Sequence, residues 1–104
     1  IVGMDSYNNI GELEAVFETQ QYAYELLLPY ENVKVFGWLD EYEVVCDLNN
    51  YKDPWHYTGE VNSKMLRWMN EDYGLLTKEN YKNYFEKCKT FYENYNYSEL
   101  FMPS

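Results

Sequence analysis

Asp53 and His56 are the residues in this chain whose types and spacing suit chemistry. They fall in the stretch Asp47-Leu48-Asn49-Asn50-Tyr51-Lys52-Asp53-Pro54-Trp55-His56-Tyr57-Thr58, and His56 is the only histidine. Acyl transfer needs a base near neutral pKa to take a proton from a hydroxyl, and imidazole meets that need. It also needs a carboxylate that keeps one ring nitrogen protonated, so that the other is free to accept. An Asp-x-x-His turn supplies both from one short segment. The same spacing also describes a loop histidine bonded to its neighbours. Two features of context favour chemistry. His56 follows an apolar strand and precedes a helix, where α/β enzymes place catalytic groups. Tyr51, Trp55 and Tyr57 flank it with aromatic surface suited to a pocket wall.

Other candidates are weaker. Asp5-Ser6 offers a hydroxyl, but the segment reads as a polar stretch ahead of the first helix. Asp40, Glu41, Glu43 and Asp47 gather acid around a turn. They lack the spacing and glycine of a calcium loop, so a solvated face is the expectation. Cys46 and Cys88 are the only cysteines. They form no metal-ligand pattern and read as two buried thiols, with a single bridge as the alternative. Asn96-Tyr97-Ser98 fits a glycosylation sequon, which matters only in a eukaryotic secretory setting.

The elements that position these residues follow from periodicity. Asn9 and Glu12 have the spacing of a capped helix start. Leu13, Val16, Phe17, Gln20, Tyr24, Leu27 and Leu28 then recur at steps of three and four, and Pro29 ends the run. The stretch from Asn32 to Trp38 is β-branched and aromatic with apolar residues on both faces, as in a covered parallel strand. Tyr42 to Leu48, with Val44 and Val45, reads as a second, short strand. Asn49 to Thr58 reads as a loop. Thr58 or Gly59 opens a helix with Val61, Met65, Leu66, Trp68 and Met69 on one face, and Gly74 closes it. Thr77 caps a last helix, along which Tyr81, Tyr84, Phe85, Cys88, Phe91, Tyr92 and Tyr95 form an aromatic stripe. That stripe reads as core, with a sugar-stacking platform as the alternative. Each buried phenol then needs a hydrogen-bond partner. The tail from Tyr97 has no period.

The strand and the run Leu-Asn-Asn-Tyr-Lys-Asp-Pro-Trp-His-Tyr-Thr-Gly resemble the last block of SGNH/GDSL hydrolases. That block reads D-x-x-H, then an aromatic or aliphatic residue, then a small residue opening the final helix. The run looks like a subgroup of such bacterial proteins in Gram-positive anaerobes. The resemblance covers residues 10–75. It implies that His56 is the general base and that Asp53 orients it. It also implies a Gly-Asp-Ser nucleophile block, with a glycine and an asparagine completing an oxyanion hole. At Gly3-Met4-Asp5-Ser6 the nucleophile block is interrupted by Met4. The stretch between Ser6 and Asp53 is far shorter than the family's, and the middle blocks are missing.

The expected architecture is therefore α/β: a helix-rich C-terminal fragment of a flavodoxin-like SGNH fold, with about three helices and one or two strands. Residues 1–9 read as a tail or tag remnant, 10–76 as the SGNH-like segment, and 77–104 as an aromatic helix and tail. The resemblance implies a serine-dependent esterase or O-acyltransferase whose nucleophile lies outside this chain, with no cofactor. Its substrate would be an acyl ester or glycan, and its setting extracytoplasmic or at the cell surface. The alternative is a non-catalytic, aromatic-rich helical module that contacts protein or glycan. A net charge of −10, from eighteen acidic and eight basic residues, repels phosphate backbones and makes nucleic acid an unfavourable partner. No apolar run is long enough to span a bilayer. A lone strand and an aromatic stripe without neighbours predict a homodimer through one of them.

Overall fold

The structure, a computed structural model, describes residues 1–9, 11–53 and 55–101. The N-terminal residues expected as a tail form helix α1 (Val2–Asn9). Ile1, Val2 and Met4 explain why, since they pack onto the core. Asn9 ends α1 rather than capping the next helix. The N–H of Glu12 closes back on the Tyr7 carbonyl at 2.9 Å, and Gly11 takes the left-handed conformation at φ 74°. Glycine meets that requirement without a Cβ clash.

Helix α2 (Leu13–Leu27) buries Leu13, Phe17 and Tyr24, and stops just before Pro29 as expected. Helix α5 (Tyr81–Asn94) buries Tyr81, Tyr84, Phe85, Cys88 and Tyr92. These two stripes face each other and make the core. Phe17 stacks on Tyr92 with ring centroids 6.2 Å apart, and Tyr24 meets Tyr81 at 5.0 Å. The aromatic stripe thus finds its partner surface within the chain. Thr77, expected to cap α5, instead braces the turn before it, and the residue at the helix's N-cap position is Asn80. Thr77 N–H donates to Asn80 Oδ1 at 2.8 Å, and Asn80 N–H donates to Thr77 Oγ1 at 3.2 Å.

The core phenols are satisfied. Tyr97 donates to the Tyr92 carbonyl at 2.6 Å, Tyr92 donates to the Leu39 carbonyl, and Tyr84 accepts from Leu39 N–H at 3.1 Å. Among the described residues no buried side-chain polar atom lacks a partner. A buried donor or acceptor left unpaired costs about 1–3 kcal/mol, so these bonds matter as much as the ring packing.

The strands differ from expectation. Residues 32–38 do not form a covered parallel strand. Asn32 lies in a turn, and the rest makes one antiparallel bridge, Phe36 to Leu75. Gly37 N–H donates to the Gly74 carbonyl and Leu76 N–H to the Val35 carbonyl, both at 2.9 Å. The return is made by a turn in which Asp72 and Gly74 take φ 55° and 80°. Gly74 therefore serves the turn rather than the helix end. Residues 42–48 are not a strand either. Tyr42–Val45 form the single turn α3, because Val45 is buried and Tyr42 stacks on Phe91 at 3.8 Å. Tertiary packing overrides the β-preference of the valines.

The strands that do form lie in the expected loop. After a 3₁₀ turn at Leu48–Asn50, β1 (Tyr51–Asp53) pairs antiparallel with β2 (His56–Tyr57). Helix α4 (Gly59–Asn70) follows, capped by Thr58 Oγ1 accepting from Val61 N–H at 3.4 Å. It buries Val61, while Leu66 and Met69, expected on the same face, are exposed. A 3₁₀ turn at Tyr97–Phe101 closes the description, and the last three residues of the tail lie outside it. The chain is thus a small helix-rich α/β fold with five α-helices and one two-stranded antiparallel sheet among the described residues. No helix among them is long and apolar enough to cross a membrane.

Candidate functional site

The β1–β2 hairpin brings Asp53 and His56 together. His56 Nδ1 lies 2.9 Å from both Oδ1 and Oδ2 of Asp53. Asp53 Oδ1 also accepts from Trp55 N–H at 2.8 Å. First that backbone N–H, then the imidazole, hold the Asp53 carboxyl below its usual range. An ionised carboxylate has no proton to give, so the shared hydrogen sits on Nδ1. In the neutral ring Nε2 then carries the free lone pair. It makes no hydrogen bond among the described residues.

The pair is open to water. The side chains of His56 and Asp53 are 65% and 42% exposed, so their mutual attraction is screened and weak. Trp55 stands beside them, 72% exposed, with one ring edge near Gly3 of α1. Strand alternation turns Tyr57 the other way, onto Tyr51, with ring centroids 4.6 Å apart. Of the three aromatics expected to wall a pocket, Tyr57 lines a cleft, away from the exposed Trp55.

Among the described residues none of the remaining candidates bonds to Asp53 or His56. Ser6 is exposed on α1 and makes no hydrogen bond with His56. Asp40 pairs with Lys87 at 2.9 Å, Glu41 accepts from the Tyr73 hydroxyl, and Asp47 caps the 3₁₀ turn through Asn49 N–H. Among the described residues no three His, Cys, Asp or Glu side chains gather as a metal cluster. Both cysteines are free. Burial pushes the Cys88 thiol up to about 12 and raises that of Cys46. In the sequon, Asn96 is exposed but already accepts from Ser98 Oγ at 2.6 Å.

Sequence reasoning missed the chain's apolar cleft. It has a volume of about 430 Å³, lies between α2 and the extended segment Val35–Leu39, and is lined in part by Ala23, Tyr24, Leu27, Tyr57 and Met65. Neither Asp53 nor His56 lines it. Two signals pointed there: Leu27, which continues past the buried stripe, and a segment apolar on both faces. Comparison with protein-family models, with curated proteins and with solved structures finds no match to this chain.

Proposed function

We propose that Asp53 and His56 form the proton-transfer half of an acyl-transfer centre whose serine nucleophile and oxyanion donors come from outside this chain. One observation carries the reading: Nδ1 is anchored on a carboxylate at 2.9 Å while Nε2 bonds to no described residue and the side chain is largely exposed. In that role Nε2 takes the proton of an incoming serine hydroxyl as the oxygen attacks an ester carbonyl. It returns the proton to the leaving alcohol as the acyl-enzyme forms. Asp53 fixes the tautomer and stabilises the imidazolium. Exposed Trp55 offers a flat apolar face beside the pair, which suits an O-acylated sugar. The SGNH/GDSL resemblance of the Asp-Pro-Trp-His-Tyr-Thr-Gly run supports the same reading, and with it a cell-surface polysaccharide as substrate.

The test is p-nitrophenyl acetate hydrolysis by the protein carrying its nucleophile segment, beside its His56→Ala and Asp53→Asn variants. The expected loss is on the order of 10⁴-fold for either. Undiminished hydrolysis by His56→Ala refutes the assignment. A second reading, a non-catalytic interaction module, is favoured by one feature: the apolar cleft is lined by neither dyad residue and stands open.

A further inference from the structure

The extended segment Val35–Leu39 has two edges, and only one is paired. Val35 C=O and Gly37 N–H meet Leu76 and Gly74. Alternation along a strand then directs the N–H and C=O of Phe36 the opposite way. Neither of these groups, nor the N–H of Trp38, has a hydrogen-bond partner among the described residues. Five consecutive residues, Val35 to Leu39, line the 430 Å³ cleft. The segment that carries this unpaired edge borders an apolar space lined by Gln20, Ala23 and Leu27 of α2, and also by Leu76, Tyr84 and Phe85.

The chemistry of the walls selects the occupant. An acyl chain would fill the space and leave the main-chain groups unanswered. An extended peptide answers them as an added strand. A second folded copy is a poor fit, because each chain carries a charge of −10. An adjoining cleft of about 300 Å³ shares Tyr24, Leu27, Val35 and Leu76, and is bordered by Glu31 and Glu79 against Lys78. Glu25, which accepts from Tyr81, adds a third carboxylate nearby. The mouth is net negative and complements lysine or arginine.

We propose that the Phe36–Trp38 edge is a docking strip for an extended peptide of a partner protein, apolar at alternate positions and basic at the end beside Glu31 and Glu79. This stands independently of the Asp53–His56 assignment.

The test is to pan a displayed library of random linear peptides against the 104-residue chain and measure binding of the selected peptides by calorimetry. Selected sequences should alternate apolar residues, carry Lys or Arg at one end, and protect the Phe36 and Trp38 amides from hydrogen exchange. Ala23→Arg, which places a long side chain in the cleft, should weaken binding about tenfold or more. If that variant loses its native circular dichroism, Gln20→Arg on the same wall replaces it. Added salt and the pair Glu31→Gln with Glu79→Gln should each weaken binding. The proposal is overturned if no peptide is selected, if binding survives the folded cleft variant, or if light scattering shows the chain dimeric with these amides already protected.

Discussion

Replacing Gly37 with alanine tests whether the extended segment lies on α5. A Cβ at position 37 would stand 2.8 Å from both Cε atoms of the Tyr84 ring, and closer still to its Cζ. The ring has little freedom to retreat. Its hydroxyl accepts from Leu39 N–H at 3.1 Å, and it meets Phe85 edge-on with centroids 5.1 Å apart. Overpacking of this kind costs about 1–3 kcal/mol. Against it, alanine restricts the unfolded chain and stabilises by about 0.4–1 kcal/mol where the native backbone suits it. Gly37 has no positive φ, so this gain applies. The net expectation is a loss of up to about 2.6 kcal/mol, or as much as roughly 10–20 °C in Tm for a domain of this size. In a Tyr84→Ala background the obstacle is gone, and the same glycine-to-alanine change should become neutral or stabilising. Tyr84→Ala alone costs about 3–5 kcal/mol, so the cycle is best run in urea at low temperature with sulfate present. The coupling between the two sites should be about 1–3 kcal/mol. Equal effects of Gly37→Ala in both backgrounds, or stabilisation of the parent chain, would refute the contact and with it the placement of Val35–Leu39.

Four further expectations concern chemistry. The isolated chain should hydrolyse p-nitrophenyl acetate no faster than buffer and free imidazole, and Ser6→Ala should change nothing; turnover abolished by Ser6→Ala would promote Ser6 to nucleophile. Nitrogen-15 spectra should show neutral His56 with its hydrogen on Nδ1, and Asp53→Asn should keep the Trp55 N–H bond yet shift the ring toward the other tautomer. Because the Asp53 pKa is lowered in the fold, its contribution to stability is present above the ordinary carboxylate range and fades as pH falls through the lowered value, so Asp53→Asn should flatten the acid limb of a urea-midpoint profile. The Cys88 thiol has the opposite sign: raised from 9.0 to about 12, it contributes fully below pH 9.0 and loses that contribution as pH climbs toward about 12. Urea midpoints should decline over that window, less so in Cys88→Ala, and a thiol reagent at neutral pH should leave Cys88 unmodified until the chain unfolds.

The helices were legible because their signal is local. Leu13, Phe17 and Tyr24 recur on one face, as do Tyr81, Tyr84, Phe85, Cys88 and Tyr92, and all are buried where the spacing places them. The cap at Thr58 and the stop before Pro29 are likewise properties of neighbouring residues. What failed was non-local or very short. Phe36 pairs with Leu75 only because the turn through Asp72 and Gly74 folds the chain back. β1 and β2 have three and two residues, too few to show alternation. Val44 and Val45 carry a strand preference that the stacking of Tyr42 on Phe91 overrides. The amphipathic face of α4 was read too broadly, since Leu66 and Met69 remain in solvent.

The geometry of Asp53 and His56 was legible for the same reason, since a three-residue spacing in a tight turn almost dictates contact. Their surroundings were not, because those depend on what the rest of the fold covers. Asp53 serves two purposes at once: its Oδ1 holds the hairpin through Trp55 N–H, and the same carboxylate orients His56. A carboxylate committed to the backbone is a rigid orienter, because rotating away from the imidazole would also break the turn. An exposed ion pair of two free side chains is worth about 0–1 kcal/mol and fluctuates. The Trp55 bond removes much of that freedom, so this surface pair is better ordered than its exposure suggests. In the proposed acyl-transfer role, such ordering would keep the Nε2 lone pair available before a hydroxyl arrives.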